Sequence, residues 1–292
     1  MANRFTLGEL VQIACIWEVT ARKIGNIHRY ADFKETSYLD FVLSAAVVAP
    51  HFNNPNPGQV GRTINLAVKS LMDAVGQNTN LGIILIFAPL CAVEQTSPLP
   101  QGLESVLSQL TQQDASLVFE AIRLANPGGI GEAPEQDVRN VPTVTLLEAM
   151  RLAADRDMIA RQYANGYADV FEFGVPSFIS SFERTNCIEE AIIDTQLRWM
   201  ANYPDSLIAR KNGLAIALEV RQRAEEVMKL GGIATKEGRR QGIQLDRYLR
   251  SNGNNLNPGT TADLIAACLF VALRENKVMP SNRFGWKVED WL

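Results

Sequence analysis

Residues 81–91 read Leu-Gly-Ile-Ile-Leu-Ile-Phe-Ala-Pro-Leu-Cys, a segment that is apolar on every side. A helix with no polar stripe cannot lie at a surface, so this one has to run through the middle of a bundle, with other helices around it. Gly82 leaves room for a close helix approach, and Pro89 predicts a kink or an end.

The rest of the chain supplies the surrounding helices. Apolar residues recur at spacings of three and four over 7–21, 37–48, 60–74, 103–109, 114–125, 145–153, 158–166, 171–183, 187–203, 207–230, 238–251 and 261–274, the signature of amphipathic helices. Strand-like alternation bounded by turn residues is nearly absent. Pro, Gly and Asn mark 53–57, 97–101 and 126–142 as loops. The fold predicted is all-α: a single-domain multi-helix bundle over 1–292 with some fully buried central helices. Residues 281–292 form a tail whose Trp286 and Trp291 pack on the body or on a second subunit. Within the longest loop, the Gly-, Pro- and acid-rich run 128–139 reads either as a binding loop or lid or as a solvated connector.

With 47% hydrophobic residues the chain can bury a large core,. A net charge of −4 argues against nucleic-acid or anionic-membrane partners, which need a basic face,. No run reaches the roughly 18 apolar residues of a membrane span, and residues 1–7 hold no signal-peptide core. Cys15, Cys91, Cys187 and Cys268 are far apart in apolar contexts, which suits reduced core thiols in a cytoplasmic protein better than disulfides or zinc.

Near the C-terminus, residues 256–264 read Leu-Asn-Pro-Gly-Thr-Thr-Ala-Asp-Leu. Pro258 and Gly259 form a stop, Thr260 can serve as N-cap, and Asp263 stands where a capping-box acid would. Free N–H groups at such a helix start can hold a phosphate or a metal-bound phosphate; a well-made helix start explains the same residues. Three more segments accompany it: 18–33, which contains Arg22, Lys23, Ile24, Gly25, Asn26 and Arg29; 76–82, which contains Asn78, Thr79 and Asn80; and 205–213, which begins at Asp205 and contains Arg210 and Lys211.

In this order and spacing the four blocks resemble the triphosphoribosyl-dephospho-CoA synthase family, most closely its divergent branch in archaea and some bacteria. The resemblance spans roughly residues 10 to 275. The family's first block usually reads Pro-Lys-Pro-Gly-Asn, where this chain has Arg22, Lys23, Ile24, Gly25 and Asn26. Its second block ends in Asn-Thr-His in the enzymes that serve citrate and malonate lyases, where this chain has Asn78, Thr79 and Asn80. The missing prolines predict a looser first loop that closes on substrate.

The resemblance implies an ATP-dependent transferase of prosthetic-group biosynthesis. ATP and 3′-dephospho-CoA give 2′-(5″-triphosphoribosyl)-3′-dephospho-CoA and adenine, with Mg²⁺ on the triphosphate. Displacement at an anomeric carbon needs a carboxylate for the hydroxyl proton or the developing cation, and the triphosphate needs cations. The catalytic candidates are Glu18, Asp205 and Asp263. Nucleotide contacts are expected from Lys23, Gly25, Asn26, Arg29, Asn78, Thr79, Asn80, Arg210, Lys211, Gly259, Thr260 and Thr261. Metal contacts are expected from Asp32 and Asp263, with Asp40 a weaker candidate.

Each residue also has a structural explanation. Glu18 lies on an otherwise apolar helix, where a buried acid is costly unless paired or functional. Lys23 and Arg29 flank a loop where cations are commonly solvated, Arg210 and Lys211 suit a helix C-terminus, and Asn78 to Asn80 can cap the helix that follows. His28 reads as a loop or surface histidine rather than an acid-base group. The expected partners are small nucleotide and CoA-type substrates and a second copy in a homo-oligomer. Two other readings share the fold: a nucleotide-dependent transferase for another cofactor precursor, and a non-catalytic helical binding protein.

Overall fold

The computed structural model describes residues 5–53, 56–131, 133, 135–288 and 291–292. Residues 1–4, the middle of the 53–57 loop, Glu132 and Pro134 of the 128–139 run, and residues 289–290 of the tail lie outside the described residues. Fourteen α-helices run through the described residues: α1 Leu7–Thr20, α2 Tyr38–Val48, α3 Val60–Val75, α4 Leu81–Ala92, α5 Leu99–Ser108, α6 Gln112–Ala125, α7 Leu146–Ala153, α8 Met158–Asn165, α9 Val175–Thr185, α10 Ile188–Asn202, α11 Ser206–Asn212, α12 Leu214–Lys229, α13 Lys236–Arg250 and α14 Gly259–Arg274. No strand occurs among the described residues; an isolated bridge pairs His28 with Ala31. The fold class is therefore all-α, as the periodicity predicts. No described helix is long and apolar enough to cross a membrane.

α4 takes the central place its composition demands. From Ile83 to Ala92 all its side chains are buried, as are those of α14 from Leu264 to Leu273. α14 packs on both α1 and α4. One apolar cluster gathers α1 to α10 with α14, and a second gathers α10 to α13 with the tail. The four cysteines are buried free thiols.

Pro89 neither kinks α4 to an end nor leaves a carbonyl orphaned. A residue at that position would normally donate to the Leu85 carbonyl, and proline has no N–H to give. The Tyr163 hydroxyl donates to that carbonyl instead at 2.6 Å, and the Tyr167 hydroxyl donates to Ile86 at 3.0 Å. The helix therefore continues to Ala92.

Three other boundaries differ from expectation. α5 begins at Leu99, inside the predicted 97–101 loop, because Pro100 falls in the first turn where a missing N–H costs nothing,. The predicted helix at 171–183 opens with a π-helical turn, Asp169–Gly174, ahead of Pro176 in the first turn of α9. The predicted helix at 207–230 is two helices, since Gly213 adopts φ 90° and breaks the ladder,.

The first loop is pinned rather than loose. Glu189, fully buried, accepts hydrogen bonds from Arg22 Nε at 2.9 Å, Arg29 at 2.7 Å and the Trp286 N–H at 2.8 Å. Arg22 also donates to the Trp286 and Trp291 carbonyls at 2.6 and 3.2 Å, and the Trp291 indole donates back to the Arg22 carbonyl at 3.0 Å. The tail is thereby strapped to the body. Ile24 is fully buried and the Arg22 N–H is spent on Glu189 at 3.2 Å, so proline at position 22 would delete a buried bond.

Tyr163→Phe removes the donor that replaces the proline N–H and strands the Leu85 carbonyl in the core. The expected cost is about 1–3 kcal/mol of unfolding free energy in urea. An unchanged midpoint would mean that the carbonyl finds another partner.

Candidate active site

A cleft of about 890 Å³ opens where the N-terminal ends of α4 and α14 meet α1. Its polar lining includes Glu18, Asn26, Asn78, Thr79, Asp157, Arg210, Lys211, Thr260 and Asp263, with backbone from Gly82 and Gly259. Most of the predicted site therefore converges, although its members lie up to 245 positions apart in the chain.

Asp263 does not act as a capping-box acid. α14 already begins at Gly259, so Thr260 sits inside the first turn and its Oγ accepts from Ser206 at 3.0 Å. Asp263 instead turns toward α4, where any Cβ at Gly82 would collide with its carboxylate. Glycine at position 82 is what lets the acid reach the cleft between two packed helices. Burial, reinforced by the negative charges of Glu18, Asp205 and Asp157 and opposed by Arg210, holds the Asp263 carboxyl well above the usual carboxylate range.

Glu18 projects into the same cleft from the apolar helix α1. Its charge is matched by Lys23, whose Nζ lies 2.8 Å from Glu18 Oε1 and donates to the Glu18 carbonyl at 2.6 Å. Burial pushes the Glu18 carboxyl up and the Lys23 ammonium down, and each group opposes the shift of the other. Lys23 is 0% exposed. It is thus no solvated loop cation, and a phosphate in the cleft would meet Glu18 first.

The other blocks divide between cleft and scaffold. Asn26 donates to Asn257 at 2.5 Å and accepts from Gln196 at 2.8 Å at the cleft margin. Gly25 lies behind it at φ 71°, its N–H bound to Asp246 at 2.7 Å. Asn78 accepts from the Leu81 N–H at 3.1 Å and so caps α4. The Thr79 hydroxyl and both amide atoms of the buried Asn80 have no hydrogen-bond partner. Across the cleft, Arg210 pairs with Asp157, the N-cap of α8, and Lys211 reaches the Asn254 carbonyl at 3.4 Å. Gly129, at φ 77°, packs on Arg210, with room for a Cβ only 3.2 Å from its backbone. The 126–138 loop therefore reaches from the end of α6 to the cationic wall and lines the cleft on its way.

Asp205, Thr261, Arg29 and Asp32 are placed elsewhere. Asp205 uses both oxygens as a tie: one caps α11 through the Leu207 and Ile208 N–H groups at 2.9 and 3.1 Å, and the other accepts from the Thr261 N–H and hydroxyl at 2.7 and 2.8 Å. That tie, with Gly259 N–H bonded to Asn257 and Ala262 N–H to Pro258, leaves little of the α14 start free for an anion. Arg29 is held by Glu189, and the exposed Asp32 accepts from the Tyr38 N–H at 2.7 Å outside the cleft lining. Asp40 forms the capping box of α2. His28 is buried rather than exposed; burial and the charges of Lys23, Arg250, Arg29 and Arg22 pull its imidazole down to about 3, so it stays neutral.

Sequence reading gave no role to Asp157 or to the apolar side of the cleft. Asp157 was legible as an N-cap, but its pairing with a residue 53 positions away was not.

Residues 4–281 match the family described as ATP:dephospho-CoA triphosphoribosyl transferase. A protein of Pseudomonas putida assigned as a 2-(5″-triphosphoribosyl)-3′-dephosphocoenzyme-A synthase is 30% identical over 73% of this chain and 68% of its own length. One with the same assignment from Pseudomonas savastanoi pv. phaseolicola is 26% identical over 77% of this chain and 87% of its own. A crystal structure from Archaeoglobus fulgidus, assigned as a triphosphoribosyl-dephospho-CoA synthase, shares the fold with a TM-score of 0.61 at 24% identity, over 80% of this chain and 99% of that one. With nearly its whole length matched, this chain belongs to the CitG family of ATP:dephospho-CoA triphosphoribosyl transferases.

Proposed function

We propose that the cleft is where ATP and dephospho-CoA meet and the triphosphoribosyl group passes between them, the whole chain serving as one transferase domain. The observation that carries this reading is the pair of carboxylates, Glu18 and Asp263, facing one cavity that also holds Arg210 and Lys211. In the transfer, the bond from ribose C1′ of ATP to adenine N9 breaks and its electrons leave with the base. A lone pair of the acceptor's 2′-hydroxyl forms the new C–O bond to C1′. The hydroxyl loses a proton and adenine gains one.

Glu18, ion-paired with Lys23, supplies negative charge for a developing oxocarbenium ion,. Asp263, with no hydrogen-bonded cation of its own, takes the proton exchange. Arg210 and Lys211 draw the triphosphate to their side of the cleft.

The oxygen donors of Asp263 and Glu18 suit a hard cation such as Mg²⁺. Among the described residues, however, no three acidic, histidine or cysteine side chains form a ready cage, and Asp32 lies outside the lining. Such a site fits an ion that is carried in on phosphates and held by one or two carboxylates, with Asp263 the residue to hold it. When bound, it neutralises triphosphate charge.

Incubation with ATP, Mg²⁺ and dephospho-CoA is expected to release free adenine, read by chromatography; its absence from folded protein would remove the reaction. Asp263→Asn should keep its melting temperature within a few degrees and lower adenine release by about 10²–10⁴-fold, the usual worth of a positioned acid-base group. Sustained turnover would return Asp263 to a packing role. Lys23→Ala is expected to act through stability, because it leaves Glu18 buried without its counter-charge, at a cost of about 3–5 kcal/mol. A Lys23→Ala protein with unaltered melting and weak ATP binding would put Lys23 back on the phosphates.

A further inference from the structure

The two sides of the cleft differ in chemistry, and the difference follows the helices. α6 lines it with Val118, Phe119, Ile122 and Ala125, and α7 with Leu146, Ala149, Met150 and Ala153. Both sets repeat at three and four, so each helix turns one apolar stripe to the cavity. No charged side chain of either helix is part of the lining. The acids and cations come instead from α1, α11, α14, the residues just before α8, Glu35 ahead of α2 and Asp137 of the loop between α6 and α7.

A triphosphate or a diphosphate cannot sit against the α6–α7 wall without losing its counter-charges. What fits there is an uncharged part of a substrate, either a base or the pantetheine arm. Two features favour the arm. At about 890 Å³ the cavity lies near the top of the ~300–1,000 Å³ range for drug-sized ligands, more than one nucleotide fills,. The wall is mostly aliphatic, whereas Phe33 and Phe41, flat surfaces that suit a stacked base, line the cleft from the segment around the start of α2,.

We infer that the apolar wall formed by α6 and α7 binds the pantetheine arm of the acceptor and selects dephospho-CoA over acceptors that end at the diphosphate. The inference rests on the transfer reading above. Burying the geminal dimethyl group and the methylenes of the arm against this wall supplies the selection, at roughly 25 cal/mol per Å² of apolar surface. Ala153, half-buried at the C-terminal end of α7, lines the cavity, so a larger side chain there intrudes on it.

ADP tests this directly, since it has the adenosine 2′-hydroxyl and the diphosphate of dephospho-CoA but no arm. Calorimetry on the unaltered protein is expected to show dephospho-CoA binding at least about tenfold more tightly than ADP, a difference that a few methylenes supply. Ala153→Phe should shrink that ratio toward one and raise the KM for dephospho-CoA relative to the KM for ATP. Free pantetheine should inhibit the unaltered enzyme competitively against dephospho-CoA and not against ATP, a result that needs no variant. Equal binding of ADP and dephospho-CoA, or pantetheine competing with ATP, overturns the subsite. Tighter dephospho-CoA binding without any adenine release would keep the subsite and remove the reaction, so the two failures are distinguishable.

Discussion

Two helices without a polar face, α4 and α14, set the plan of this protein. Side chains that cannot meet water have to be enclosed, so the remaining helices are arranged around them. Polar chemistry can then enter the centre only where these helices begin, since their first turns carry the last residues before the apolar run. That is where the cleft lies. Gly82 at the start of α4 and Asp263 in the second turn of α14 meet there, the missing side chain of one making space for the carboxylate of the other. Pro89 would weaken such a core helix, and the two tyrosine hydroxyls from the segment at 163–167 take over the carbonyls near it.

Charge inside this bundle is arranged in closed sets. Glu189 collects Arg22, Arg29 and the Trp286 N–H, and Asp205 collects the starts of α11 and α14. Both carboxylates are fully engaged, as burial requires. Glu18 is neutralised by Lys23, yet its carboxylate still borders the cavity. Asp263 has no such partner and sits among negative neighbours. An acid at the cleft that lacks the hydrogen-bonded partners of its neighbours is a candidate for chemistry. On the far side, Arg210 and Lys211 lie where α11 ends and Gly129 packs on Arg210, so the two cations and this glycine meet at one edge.

A transferase for two large nucleotide substrates has to hold charged and uncharged parts at once. The cleft offers both kinds of lining: most of its acids and cations come from α1, α11, α14 and residues 156–157, and aliphatic stripes come from α6 and α7. Elements far apart in the chain thereby assemble a single cavity.

Local pattern in the sequence was enough for the all-α class, the central place of 81–91, most helix positions and the four blocks that carry the family resemblance. Helix periodicity and capping depend on neighbours three or four residues away, and those are visible in a linear text. What the text could not show was how each charged residue is used, because that depends on which partner the fold brings beside it, 53 positions away for Arg210 with Asp157 and 160 for Arg29 with Glu189. Lys23 and Arg29 look like phosphate ligands in the first block and are ion-paired scaffold in the fold. Asp205 looks like a catalytic acid and ties two helices, while Asp263, readable both as a cap and as a site carboxylate, faces the cleft. Tertiary packing made those decisions, since the cost of burying a charge is settled only by which opposite charge or donor the fold brings beside it.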